Sequence, residues 1–175
     1  MTTLADLNAL PSHAIKPLFA ACCGAPAWVS AMVACRPFES LDEMQRTSDE
    51  ICAQLSSEQW LVAFAHHPRL GETHATAAVT DAAQAWSEGE QRTAADGDEE
   101  LRRELAEAQR LYEMRFGYIF IICASGRSAA EILSALRARM PNAPDAELRA
   151  AAGEQRKITR LRLAKLVGQS READE

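Results

Sequence analysis

The sequence predicts an all-α fold, a single-domain irregular bundle of about seven or eight helices. Three observations carry that expectation. Ser40, Ser56, Ser87 and Ser128 each stand three residues before a Glu or Gln and open an apolar stripe of helical period, the signature of a reciprocally hydrogen-bonded helix start. Apolar residues make up 47% of the chain and aromatic ones only 6%, so the core must be mostly Ala, Leu, Ile and Val; Ala loses no side-chain entropy in a helix. With 175 residues and no repeat, linker or low-complexity segment, one core is expected rather than two. A chain of this size buries roughly 70% of its unfolded surface and needs no metal or disulfide to fold.

The boundaries are signposted in order. Pro26 suits the first turn of a helix carrying Trp28, Met32 and Val33, which Pro37 must end. Ser40 with Glu43 opens a helix with Leu41, Met44, Ser48, Ile51 and Leu55 on its inner stripe. Ser56 with Gln59 starts the apolar run Trp60 to Phe64, and Pro68 disfavours helical geometry at His67, placing that residue on an extended exit. Arg69 to Trp86 reads as a loop followed by weak helix, and Ser87 with Glu90 forms a further cap. Asp96-Gly97 is a turn, followed by a stripe of Leu101, Leu105, Ala108 and Tyr112 that Gly117 closes with a left-handed cap. Tyr118 to Ala124 is too apolar for a loop and too short to separate buried strand from buried helix. Ser128 with Glu131 caps another helix, ended by Pro141, and Asp145 begins the last, running through Ile158, Leu161 and Leu166 to Gly168. The chain therefore divides into a helical domain over 1–168 and a polar tail over 169–175, expected to be disordered.

The net charge is −6, without a block of Lys or Arg, which argues against a nucleic-acid partner. Five cysteines form no CxxC pair, and Met1 to Leu10 carry no basic or apolar leader region, so a reducing cytoplasm with thiols as small buried hydrophobes is expected. No apolar run nears the ~20 residues of a membrane span, so no membrane partner is expected. Arg171 to Glu175 is not a peroxisomal address, which favours a bacterial cytoplasm.

The densest polar cluster is His66-His67-Pro68-Arg69-Leu70-Gly71-Glu72, with His74 beyond it. Histidine exchanges protons near neutrality; the plainer reading is a helix end whose histidines complement the dipole. Adjacent His66 and His67 point in different directions, whereas helical metal ligands recur three or four apart, so no metal is expected. Ser87-Glu88-Gly89-Glu90-Gln91 is a capped helix start whose free N–H groups suit an anionic or carbonyl-rich ligand. Arg162 lies four residues after Ile158 on the same helix face; an inward Arg wants an anion, and a carboxylate fits its fork. Its alternative is an exposed helix-end Arg, like Arg156 and Arg160.

On these residues the sequence resembles the 2-oxo-4-hydroxy-4-carboxy-5-ureidoimidazoline (OHCU) decarboxylases, an all-helical family yielding S-allantoin in urate breakdown. The matching stretches are Arg36-Pro37-Phe38, His67-Pro68-Arg69-Leu70-Gly71, Ser87-x-x-Glu90-Gln91, Phe116-Gly117 through Ala124, and Lys157-Ile158-x-x-x-Arg162-Leu163. Each is weak alone; together, in order, they span nearly the whole chain. The resemblance implies His67 as proton donor, with Glu90 fixing the imidazole or the substrate hydroxyl, and Arg162 holding the substrate anion. It implies substrate contacts from Pro68, from Ser87, Glu88, Gly89, Glu90 and Gln91, and from Phe120, Ile121, Ile122, Cys123 and Ala124. His66 and His74 match nothing catalytic and are expected to be structural. The substrate is OHCU, whose leaving carboxylate neighbours a C=N bond that accepts the electrons; no cofactor is then required. A homodimer is the family's habit.

Two other readings compete. A non-enzymatic helical interaction module predicts no pocket joining His67, Glu90 and Arg162. A metal-dependent helical hydrolase would use His66, His67, His74 and Glu72.

Overall fold

The computed structural model describes residues 3–70, 86 and 99–168. Among them are eight helices and no sheet: α1 (Leu4–Ala9), α2 (Ser12–Cys22), α3 (Pro26–Ala34), α4 (Leu41–Cys52), α5 (Ser57–Ala65), α6 (Glu99–Phe116), α7 (Ala129–Arg139) and α8 (Pro144–Leu166). The fold is all-α. The Ser87 cap, the Asp96-Gly97 turn and the tail over 169–175 lie outside the described residues.

Local chemistry accounts for the boundaries. Ser56 and Ser128 cap α5 and α7 reciprocally with Gln59 and Glu131. At α4 only half of the expected box forms: Ser40 Oγ accepts from the Glu43 amide, but the Glu43 carboxylate accepts from the Glu39 amide at 2.6 Å instead. Gly117 takes φ +80 just past α6, a backbone that a Cβ would strain. Before Pro26, two helices stand that no expectation delimited: α1 starts on a Thr3–Asp6 capping box, and α2 carries Pro17 inside it. The Arg36-Pro37-Phe38 stretch fastens these to the rest. Arg36 Nη1 donates to the Leu10 carbonyl at 2.7 Å, and the Asn8 amide exchanges two hydrogen bonds with the Phe38 backbone.

Two cores share the interior. The larger joins α2, α3, α4, α5 and α8 through Phe19, Trp28, Met32, Met44, Phe64, Ile158 and Leu163. Trp28 Nε1 donates to Ser48 Oγ at 3.1 Å, which explains a serine on the inner stripe of α4. The smaller core joins α6 and α7 through Leu105, Tyr112, Ile132, Leu133 and Leu136. Between them runs 119–124, within the Tyr118 to Ala124 run whose sequence does not separate buried strand from buried helix. It is neither: an irregular ribbon whose alternate side chains serve different cores, Ile119 and Ile121 the larger, Phe120, Ile122 and Ala124 the smaller. Burial on both sides explains its unbroken apolar sequence.

Cys22, Cys23 and Cys52 are buried, Cys123 is half-buried, and Cys35 is exposed, contrary to the expectation of buried thiols throughout. Burial raises the Cys23 thiol to about 11. No helix of the described residues is long and apolar enough to cross a membrane.

Candidate active site

Helix α5 ends because Pro68 disfavours a continued helix, and the His66 and His67 amides close its last turn on Ala63 and Phe64 at 3.2 and 3.0 Å. The two histidines then part. His66 turns back, its Nδ1–H donating to the Val62 carbonyl at 2.8 Å, and its ring lies so close over Gly24 that a Cβ there would fall 2.3 Å from it. His67 turns inward to 8% exposure, and its Nε2 meets Gln155 Oε1 of α8 at 2.6 Å. Burial foremost, then the Arg162 charge, holds the His67 pKa down to about 3, with the Gln155 hydrogen bond opposing. The ring is neutral at physiological pH.

The turn after His67 is clamped from α6. Gln109, itself buried, accepts from the Leu70 amide at 3.0 Å and donates to the Leu70 carbonyl at 3.2 Å. Arg69 and Glu113 pair in two parallel bonds of 2.7 and 2.9 Å. His67 therefore projects from a turn fixed at both ends, the arrangement that holds a reacting group in place.

Opposite stands the ribbon. A cavity of about 30 Å³ is lined, among the described residues, by His67, Pro68, Leu70, Phe120, Ile121, Ile122, Cys123, Ala124, Ser125 and Ile158. Among the described residues the ribbon has no partner strand, and side chains satisfy part of its backbone: Glu154 accepts from the Cys123 amide at 2.9 Å, and Arg139 Nη1 donates to the Ile121 carbonyl at 2.8 Å. Arg139 also stacks 4.5 Å from the Phe120 ring centroid and is anchored by Glu147, 0% exposed, at 2.9 Å from Nε. Tyr112 and Asn142 donate to the same carboxylate.

Arg162 lies one helical turn beyond Ile158, is 3% exposed, and donates from Nη1 to the Ala21 carbonyl at 3.0 Å. It is not a helix-end Arg in water. Arg156 and Arg160, by contrast, are far more exposed and pair with Asp49 at 3.2 and 2.8 Å. Arg162 is absent from the cavity's lining residues, yet its charge acts on the His67 ring.

The structure thus brings together His67, Pro68 and the run Phe120 to Ala124, with the Arg162 charge at hand. Ser87, Glu88, Gly89, Glu90 and Gln91 lie outside the described residues, as do Glu72 and His74. The described residues contain no group of three or more metal-ligating side chains. Sequence reasoning missed Gln155, Gln109, Glu113 and Glu147. The nearest signal was a polar residue beside the apolar stripe of each helix, a pattern that a solvated face produces equally well.

The sequence model of the OHCU decarboxylase family matches residues 8–164. The chain is 43% identical over 146 residues to the uric acid degradation bifunctional protein TTL of Arabidopsis thaliana, across 83% of this chain and 45% of that protein; it spans about half the length of that relative. It is 29% identical over 166 residues to the 2-oxo-4-hydroxy-4-carboxy-5-ureidoimidazoline decarboxylase of Haloferax volcanii, across 93% and 94% of the two chains. The crystal structure of an OHCU decarboxylase in the presence of (S)-allantoin aligns with a TM-score of 0.75 at 40% identity, over 87% of this chain and 98% of that one. With the family pattern running through almost every helix described above, the chain belongs to the OHCU decarboxylase family.

Proposed function

We propose that this protein decarboxylates OHCU to S-allantoin without a cofactor. The observation that carries the reading is a buried, neutral His67 clamped at a small cavity, with a buried arginine charge acting on it. As CO2 leaves, the pair from the breaking C–C bond forms a ring C=C bond, and the adjacent C=N pair moves onto nitrogen, which takes a proton from water. The resulting enol loses its hydroxyl proton as the carbonyl forms, and the neighbouring carbon takes a proton on one face.

The roles we assign to residues follow the chemistry of their side chains. Arg162 holds the substrate carboxylate in its fork. His67 moves the proton, with Glu90 fixing the imidazole or the substrate hydroxyl. Pro68, Ser87, Glu88, Gly89, Gln91 and the run Phe120, Ile121, Ile122, Cys123 and Ala124 read the ring and ureido amides. The divergence of His66 and His67 disfavours a shared metal and so the hydrolase alternative. A homodimer in the cytoplasm is the expected working form, and sedimentation of the purified protein measures the oligomeric state.

Circular dichroism of freshly generated OHCU tests the activity. With the protein, the signal of S-allantoin is expected to rise faster than the spontaneous decay. A racemic product formed at the uncatalysed rate would remove the reading.

A further inference from the structure

The hydrogen bonds around His67 specify more than its position. Gln155 and Thr159 are 0% and 1% exposed, so their polar groups have only protein to bond. The Thr159 Oγ1 hydrogen has acceptors other than the Gln155 side chain, namely Gln155 O at 3.0 Å, Cys22 O at 3.4 Å and the Cys23 sulfur. A hydroxyl that donates there offers its lone pairs to the Gln155 amide nitrogen, 3.3 Å away. The Gln155 amide is thereby oriented with Oε1 toward His67 at 2.6 Å. An amide oxygen only accepts, so His67 Nε2 carries the hydrogen. The lone pair of the neutral ring is then on Nδ1.

We infer that Gln155 and Thr159 are positioning residues that hold the His67 proton on Nε2, so that Nδ1 meets the substrate first as acceptor and then as donor. This rests on the decarboxylase reading. In the enol left by CO2 loss, Nδ1 takes the hydroxyl proton and leaves the O–H pair on oxygen as an enolate. That pair then forms the carbonyl as the C=C pair takes the same proton back from Nδ1 at the neighbouring ring carbon, and the imidazole returns to neutral. No second proton source is needed on the ring. The Nε2–H to Gln155 bond survives both transfers, because imidazolium and the Nε2–H tautomer both donate there, so the ring does not reorient between steps. The surrounding groups agree: burial, the Arg162 charge and His66 all oppose a ring that is already cationic before substrate arrives. The donor is loaded by the substrate itself. Return of the proton from a fixed nitrogen also ties it to one face of the ring carbon.

The test is nitrogen NMR of the full chain labelled with 15N-histidine, with the His67 signal identified by its loss in His67→Asn. The expected wild-type pattern from about pH 5 to 8 is a neutral ring protonated on Nε2. Thr159→Val, which keeps shape and removes the hydroxyl, is expected to mix the tautomers. It should lower kcat about tenfold or more, within the roughly 10²–10⁴ that such proton transfer contributes, with a smaller change in KM. Thr159→Ser restores the hydroxyl and is expected to restore both the pattern and kcat. A wild-type His67 protonated on Nδ1 would overturn the inference, even if Thr159→Val fails to fold. So would wild-type tautomer and turnover in Thr159→Val. Correct tautomers in a wild-type chain that does not accelerate OHCU decay would overturn the decarboxylase reading and the proton return, while the Gln155–Thr159 orientation would stand.

Discussion

His67 and Arg162 are both buried side chains with hydrogen-bonded neighbours, so substitutions at them carry a structural cost besides a catalytic one. His67→Asn leaves Gln155 Oε1 without its close donor; about 1–3 kcal/mol of stability is expected to go with it. The chain should remain folded by far-ultraviolet dichroism with a lowered Tm. Accelerated decarboxylation should fall by about 10²–10⁴, and near-normal turnover would remove His67 from the chemistry. Arg162→Lys keeps a charge and loses the planar fork. One lost charge-assisted hydrogen bond is expected to cost on the order of 1.5–3 kcal/mol, roughly tenfold or more in kcat/KM. Arg156→Lys and Arg160→Lys are controls, because both parents sit in surface pairs with Asp49 that are worth little. Equal small losses in all three by steady-state kinetics would reduce Arg162 to a diffuse positive field.

At the joint between α7 and α8, the carboxylate of Glu147 gathers donors from Tyr112, Arg139 and Asn142, and Arg139 passes the hold on to the Ile121 carbonyl. The pair stabilises by being complete; an isolated member is a buried charge without compensation. Glu147→Leu is therefore expected to destabilise by about 3–5 kcal/mol, read by chemical denaturation. Adding Arg139→Met should recover part of that loss, a positive coupling that a double-mutant cycle measures. Independent, additive losses would mean that the two side chains do not act as one unit. The recovered double variant should still bind substrate poorly, because the Ile121 carbonyl has lost its tether.

Over the whole molecule, what was legible in the sequence was local. Ser56–Gln59 and Ser128–Glu131 bond across three residues, and Pro26 and Gly117 act through their own backbones, so composition and spacing located those ends. The start of α8 fell one residue from its expected place, Pro144 instead of Asp145. His67 stood out by its Pro68 neighbour, but Gln155 acts on it from 88 residues away and Gln109 on Leu70 from 39. Such contacts leave no periodic trace. Inward placement of Arg162 was equally open until the burial was known. Protonation also couples to the entire fold. Unfolded His67 would titrate near its ordinary 6.5, whereas the folded ring resists until about 3. Between those values the unfolded state binds more protons, so stability rises with pH there. His67 should contribute fully above about pH 6.5 and progressively less toward pH 3, on the order of a few kcal/mol in all. Denaturation midpoints against pH should slope less steeply in His67→Asn than in the wild type, and identical slopes would contradict the buried neutral ring.

The ribbon between the two cores has an arithmetic of its own. Since odd positions from Ile119 face one interior and even positions from Phe120 the other, a shift of one residue would exchange every tenant, sending the Phe120 ring toward α2 and α3 and the Ile121 side chain toward α7. Close-packed interiors accommodate such an exchange of side chains poorly. An ordinary surface connection tolerates gained or lost residues; here an insertion or deletion of a single residue breaks both cores and displaces the cavity wall at once. The length of this short stretch is thus held by parity, independently of which apolar residues fill it.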